Sequence, residues 1–138
     1  MTALDQTSQE EMIDTFDLFD DWLEKYQYII DLGKKLPALD EEHKIDENLL
    51  QGCQSRVWLI HKFKDNKLTF LANSDAAIVS GLVSLVLSIY SGHSPQMVLE
   101  TEPEFIEKIG LASHLSSTRS NGLNAMIAKI KSTAQLYI

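Results

Sequence analysis

From Ser74 to Gly92 the chain reads SDAAIVSGLVSLVLSIYSG, an apolar segment that a globular domain has to bury. Ile78, Leu82, Leu85, Val86 and Ile89 recur at helical spacing and define one buried face. Gly81 interrupts that face with a residue that has no side chain, which allows a neighbouring element to approach closely. Ser74 is placed to cap the helix and Asp75 to lie in its first turn beside the exposed amides. Gly92 ends it. The apolar stretch is shorter than a bilayer requires, so other parts of the chain must cover it.

Cover is available on both sides. Met12, Ile13, Phe16 and Phe19 fall at helical spacing over Glu11 to Phe19. Asp21 followed by Glu24 is a capping-box variant, and Trp22, Leu23, Tyr26, Ile29, Ile30 and Gly33 form the stripe of a second helix that Pro37 stops. Residues 38–49 carry acids, one histidine and little pattern, and read as a linker. Arg56 to Phe63 alternates, with Val57, Leu59, His61 and Phe63 on one side and Trp58, Ile60 and Lys62 on the other. Asp65-Asn66 is a hairpin turn signal that returns the chain as a second strand over Leu68 to Leu71. A hairpin needs a third strand or a helical cover, and the place left for a strand is near Asn48–Gln51. Downstream, Ser94-Pro95 and Glu102-Pro103 each open a short helix, Gly110 ends the second, and a last helix begins around Ser120 with Leu123, Met126, Ile127 and Ile130 on one face. The expectation is an α+β fold, a small antiparallel sheet covered by helices. It forms one domain over residues 1–138, with residues 1–10 frayed.

Charge narrows the partners. Residues 1–50 hold 14 acidic and 4 basic side chains, whereas residues 51–138 hold 6 and 8, for a total of −8. Phosphate backbones are repelled by the first part and find no basic cluster in the second, which argues against nucleic acid. The acidic part offers steering for a basic protein partner or a solvated face. No signal-peptide pattern or membrane-length apolar window is present, so a cytoplasmic protein without membrane contact is expected.

The lone cysteine lies in Leu50-Gln51-Gly52-Cys53-Gln54-Ser55-Arg56-Val57-Trp58. A single free cysteine is often inert core filler. Here Gly52 permits a tight turn, and Gln51, Gln54, Ser55 and Arg56 make a polar setting that favours a loop tip. Arg56, three residues on, is a cation able to favour thiolate. Arg119, among the small polar residues before the last helix, is either a second such cation or a loop clamp. Leu49, Leu50, Val57 and Trp58 offer an apolar lining for the thiol. Other chemistries are poorly supplied. Histidines at 43, 61, 93 and 114 stand in four different elements without metal-ligand spacing, and there is no phosphate-binding glycine loop. No metal or cofactor is expected. A Cys53 dyad with His43 or His114 stays open, because separation along the chain says nothing about distance in space.

Four segments then carry a resemblance. WLEKYQYIIDLGKKLP, QGCQSRVW, SDAAIVSGLVSLV and STRSNGLNAMI occur in that order between about residues 17 and 130. On these the chain resembles the SufE family of cysteine desulfurase-associated sulfur acceptors, whose close relatives include CsdE. The resemblance implies a SufE/IscU-like sheet of about three antiparallel strands with helices packed on one side. It also implies a persulfide on Cys53, drawn from a PLP-dependent cysteine desulfurase and passed to an iron–sulfur cluster assembly scaffold. The PLP belongs to the partner, and the chain is an accessory to that enzyme, not a stand-alone one. Gly52, Gln54, Arg56, Ser74, Asp75 and Arg119 are carried over as the environment of the cysteine. Ser80 and Arg56 depart from the most familiar members, which have lysine and a neutral residue there. Two alternatives accompany this expectation: a regulator that binds the desulfurase without carrying sulfur, and a thiol hydrolase or peroxidatic enzyme; a second copy of the chain, in a homodimer, is a further candidate partner.

Overall fold

The structure is a computed structural model, and the described residues are 9–50 and 55–138. The apolar segment forms helix α3, Ala77–Tyr90, with Leu82, Val83, Leu85, Val86 and Ile89 buried. It lies inside because its neighbours come from three directions: helix α2 (Trp22–Lys34), the hairpin of strands β1 (Val57–Lys64) and β2 (Lys67–Ser74), and helix α7 (Ser117–Gln135).

The α2–α3 contact depends on two glycines. A Cβ added at Gly81 would lie 2.6 Å from the carbonyl carbon of Ile29, and one added at Gly33 would lie 2.6 Å from the amide nitrogen of Gly81. Backbone meets backbone at this crossing, as the side-chain-free position at 81 implied. Asp21 caps α2 by accepting from the amide of Glu24 at 2.9 Å, which is the expected capping geometry. Helix α1 (Gln9–Asp17) buries Met12 and Phe16. It is pinned by Gln9, which donates to the Glu102 carbonyl at 2.7 Å and accepts from the Phe105 amide at 2.9 Å.

The hairpin pairs Val57 with Ser74 through Lys64 with Lys67. Asp65 (φ 54°) and Asn66 (φ 61°) are both left-handed, the conformation that a two-residue turn matching the strand twist requires. Val57, Leu68, Phe70 and Ala72 are buried on the inner face. Trp58 is on the opposite face, with the Lys44 ammonium 5.8 Å from its ring centroid. The α+β class and the helix-covered antiparallel sheet are as expected, but the strand number differs. Among the described residues the sheet has two strands. Where a third was expected, Asp46–Asn48 forms a 3₁₀ turn, leaving a single bridge, Leu49 to Trp58, with the Leu50 amide donating to the Val57 carbonyl at 2.8 Å. The other edge is closed by one bridge from Leu68 to His93. Residue 51 lies outside the described residues.

Three helix starts also differ from the expectation: α1 begins at Gln9, so residues 9 and 10, expected to be frayed, are helical. Helix α3 begins at Ala77, its cap position is Ala76, and Asp75 precedes it. Ser74 is occupied elsewhere: its hydroxyl donates to the Arg56 carbonyl at 2.7 Å and accepts from the Ala76 amide at 3.3 Å. It therefore clasps the open end of the hairpin instead of capping the helix. Helix α7 starts three residues earlier than expected, because Ser116 caps it by accepting from the Arg119 amide at 3.2 Å. Between α3 and α7 run α4 (Pro95–Glu100), capped by Ser94, then α5 (Glu104–Ile109) and α6 (Leu111–His114), separated by Gly110 at φ 91°. Tyr90 donates its hydroxyl to the Thr101 carbonyl at 2.9 Å. Burial, assisted by Glu102, pushes its pKa up to about 12, so it stays a neutral structural donor.

Two outcomes test this architecture. Helix propensity alone would make Gly81→Ala stabilising by about 1 kcal/mol. The contact with Ile29 makes it destabilising by about 3 kcal/mol instead, measurable by urea unfolding; a neutral or stabilised variant would refute the close crossing. The second concerns His93, whose pKa is lowered, first by burial and then by Lys67, against a raising hydrogen bond to the backbone of Ile89. The folded chain therefore disfavours its protonation. The stability this contributes is fully present above the ordinary histidine value of about 6.5 and is lost as pH falls through the lower folded value. Melting temperatures at pH 7.5 and 5.5 should fall less in His93→Gln than in the parent. Equal falls would show that His93 contributes nothing.

Candidate functional site

The hairpin's open end, the second turn of α3 and the first turns of α7 converge on a pocket of about 220 Å³. Its floor is apolar: Leu50, Val57, Val79, Leu82, Val83, Leu123 and Met126. Its polar wall is Ser55, Ser116, Thr118, Arg119 and Gly122. Each group is positioned by local chemistry already described. The Ser116 cap sets the first turn of α7, which carries Thr118 and Arg119, and the positive end of that 19-residue helix reaches the pocket. The Ser74 clasp on the Arg56 carbonyl fixes where β1 leaves the sheet, and so where Ser55 stands. The side chain of Arg119 is exposed, and its guanidinium has no ion pair or hydrogen bond among the described residues.

The candidate residues distribute unevenly. Gly52, Cys53 and Gln54 lie outside the described residues. The described residues on either side of residues 51–54, Leu50 and Ser55, both line the pocket. Arg119 lines it too. Arg56 is exposed and is not among its lining residues. Ser74 and Asp75 line a different, shallower hollow of about 310 Å³ with Ile30, Gly33, Lys34 and Ser80. Of the four residues expected to supply an apolar lining, Leu50 and Val57 do so; Leu49 and Trp58 are instead paired on the edge of β1. Val79, Leu82, Val83, Thr118 and Met126 were not singled out as site residues, although all five lie in the segments SDAAIVSGLVSLV and STRSNGLNAMI. Helical periodicity marks such residues as core and cannot tell a cavity wall from packed interior.

No histidine is among the pocket's lining residues. His114 stacks on Trp22 with centroids 3.8 Å apart, His61 meets the Tyr137 hydroxyl at 2.9 Å, and His93 bridges the sheet edge. His43 stands with Asp40 and Glu42, whose ligand-type atoms lie within 4.8 Å of one another on the surface, an arrangement common for solvated acidic turns. No helix among the described residues is long and apolar enough to cross a membrane.

A model of the SufE Fe-S metabolism associated domain matches residues 10–134, a span that includes the cysteine segment and every wall of the pocket. The chain belongs to the SufE family. Among curated proteins, an uncharacterized SufE-like protein of Rhizobium meliloti (strain 1021) is 45% identical over 98% of this chain and 96% of its own length. A second, from Rhizobium etli, is 43% identical over 99% and 92%. The fold is also similar to the solution structure of a hypothetical protein from Thermus thermophilus, with a TM-score of 0.76, 19% identity and 93% of both chains covered. At that identity the likeness concerns the fold. The SufE match ties the chain to iron–sulfur metabolism.

Proposed function

We propose that this SufE-family chain is a sulfur acceptor and carrier. It takes persulfide sulfur from a PLP-dependent cysteine desulfurase onto Cys53, stimulates that enzyme by unloading it, and passes the sulfur to an iron–sulfur cluster assembly scaffold in the cytoplasm. One observation carries the reading: the residues flanking the cysteine segment, Leu50 and Ser55, belong to an apolar pocket whose rim carries Arg119, an arginine with no ion pair among the described residues. Cys53 is two residues from Ser55, so chain geometry limits their Cα separation to about 7 Å.

The chemistry needs little apparatus. The Cys53 thiolate attacks the outer sulfur of the donor's persulfide. A bond forms between Cys53 Sγ and that sulfur, the bond from it to the donor's cysteine breaks, and the donor leaves as thiolate with the electron pair. The proton lost by Cys53 is balanced by one taken up by the donor thiolate, and nothing is oxidised overall. Arg119 and the positive end of α7 both favour an anionic sulfur at the pocket rim. The apolar floor offers shelter from water, oxidants and small thiols. Gly52 and Gln54, which flank the cysteine in sequence, and Arg56, three residues on, are assigned to its environment. Ser74 acts at one remove, through its clasp on the strand that leads from the cysteine. Asp75, exposed beside that clasp, is assigned to the partner-facing surface. PLP, on the donor enzyme, activates the substrate, so this chain requires no cofactor or metal of its own.

Incubation with a cysteine desulfurase, PLP and cysteine, followed by intact-mass measurement, should show the mass of one added sulfur, absent in Cys53→Ser. Unchanged mass, with the desulfurase stimulated equally by the parent and Cys53→Ser, would replace the carrier with a non-carrying regulator. Arg119→Ala should slow sulfur acceptance roughly tenfold, equivalent to about 1.4 kcal/mol at the barrier. Because the side chain is exposed, its effect on unfolding should stay within about 0.5 kcal/mol. Unaltered single-turnover kinetics would remove Arg119 from the site.

A further inference from the structure

The corner where α1 meets α2 carries a surface that the sulfur chemistry does not use. Leu18 and Leu23, on either side of the connecting turn, are each 80% exposed. Neither serves the core, since α1 turns Met12 and Phe16 inward and α2 turns Ile29 inward. Asp14, Asp17, Asp20 and Glu24, each within a turn or so of one of the leucines along the chain, are exposed, and their carboxylates have no cationic partner among the described residues. From Glu10 to Glu24 the chain contains seven acidic residues and no lysine or arginine. The nearest cation, Lys25, is drawn over the ring of Trp22 at 4.8 Å.

An apolar centre ringed by one sign of charge is complementary to an apolar patch with a basic rim. It repels phosphate backbones and anionic lipid surfaces. The corner is also joined to the pocket. Trp22 stacks on His114, the Tyr26 hydroxyl donates to the His114 carbonyl, and two residues later Ser116 is on the pocket wall. The first turn of α2, which carries Leu23, is thus linked through His114 to the segment that enters the pocket wall at Ser116.

We propose that this corner is a docking surface for the desulfurase, engaged by a basic, apolar-centred patch on that enzyme while its persulfide reaches the pocket. The proposal rests on the acceptor reading above. Leu18 and Leu23 are the anchors, and the carboxylates steer encounter and set its salt dependence.

The test is binding of the full chain to the PLP-loaded cysteine desulfurase encoded in the same genome, with sulfur loading measured in parallel. Leu18→Ser/Leu23→Ser should weaken binding at least tenfold with an unchanged melting temperature, since both side chains are exposed. Asp17→Asn/Asp20→Asn/Glu24→Gln should slow association several-fold at low salt. That difference should vanish near 1 M salt, where screening acts over about 3 Å. If the parent binds and loads sulfur while both variants match it within twofold, the docking surface is overturned and the acceptor reading stands. If the leucine variant instead loses self-association with desulfurase binding intact, the corner belongs to a second copy and the proposal is equally overturned. A parent that neither binds nor loads overturns the acceptor reading itself.

Discussion

The backbone of α2 rests directly on the backbone of α3 at Gly33 and Gly81, and the remaining architecture depends on that approach. Helix pairs separated by ordinary side chains keep their axes about 8–10 Å apart; here the contact residues have none. The close approach brings Ile29 against α3 and leaves its other sides to the sheet and to α7. An apolar helix of 14 residues is thereby covered by a chain of modest size. The hairpin, too small to stand alone in water, gains its stability from the same helix, against which Val57, Phe70 and Ala72 are buried.

The pocket follows from how these parts are tied at one end. With Gly81 facing α2, the residues two before and one and two after it, Val79, Leu82 and Val83, become pocket wall. The hairpin contributes through the Ser74 hydroxyl, which holds the Arg56 carbonyl and so fixes the direction in which the chain enters β1. Helix α7 contributes through a serine cap that begins it at Ser117, placing Arg119 in its first turn. The hairpin, the helix that follows it and the distant α7 thus frame one pocket, with one glycine contact and two serine hydrogen bonds setting their ends. Each costs little in composition, and each is easily overlooked in the chain.

Much of the fold was legible because it is written in short-range rules. The two-residue turn at Asp65-Asn66, the Asp21 and Ser94 caps, the proline at the start of α4 and the close approach at Gly81 all follow from local conformational preferences, and all appear as read. Misreadings arose where two local uses of one residue compete. Ser74 fits a helix cap and a strand clasp equally well, and only the presence of Arg56 across the hairpin decides between them. Ser116 and Ser120 are both plausible caps, and the earlier one wins by adding a turn to the helix. The third strand shrank to a bridge because Asp46–Asn48 satisfies its backbone locally in a 3₁₀ turn. For the pocket, the segments that line it were visible, but which of their residues face it was not. Arg56 and Arg119 are equal candidates along the chain, and proximity in sequence even favours Arg56. It is Arg119, 66 positions from the cysteine, that lines the pocket beside Ser55.

The division of charge acquires a physical meaning from this layout. An anionic sulfur is best held where a cation and a helix N-terminus face an apolar floor, and the pocket rim carries no carboxylate among its lining residues. Acidic groups at that rim would raise the thiol's pKa and oppose the transfer that the proposed function requires. The same groups stand instead on α1 and the start of α2, and α2 is tied toward the pocket by the Trp22–His114 stack and the Tyr26 hydroxyl on the His114 carbonyl. Acidity gathered there can recruit a basic partner over distances of about a Debye length, roughly 8 Å at physiological salt, while the pocket's described lining holds no carboxylate. Under the proposed function the chain has two tasks of its own, to attract the donor protein and to stabilise the sulfur it receives. These tasks ask for opposite charges. Keeping the acidic corner and the arginine-rimmed pocket on separate elements lets one small fold meet both demands.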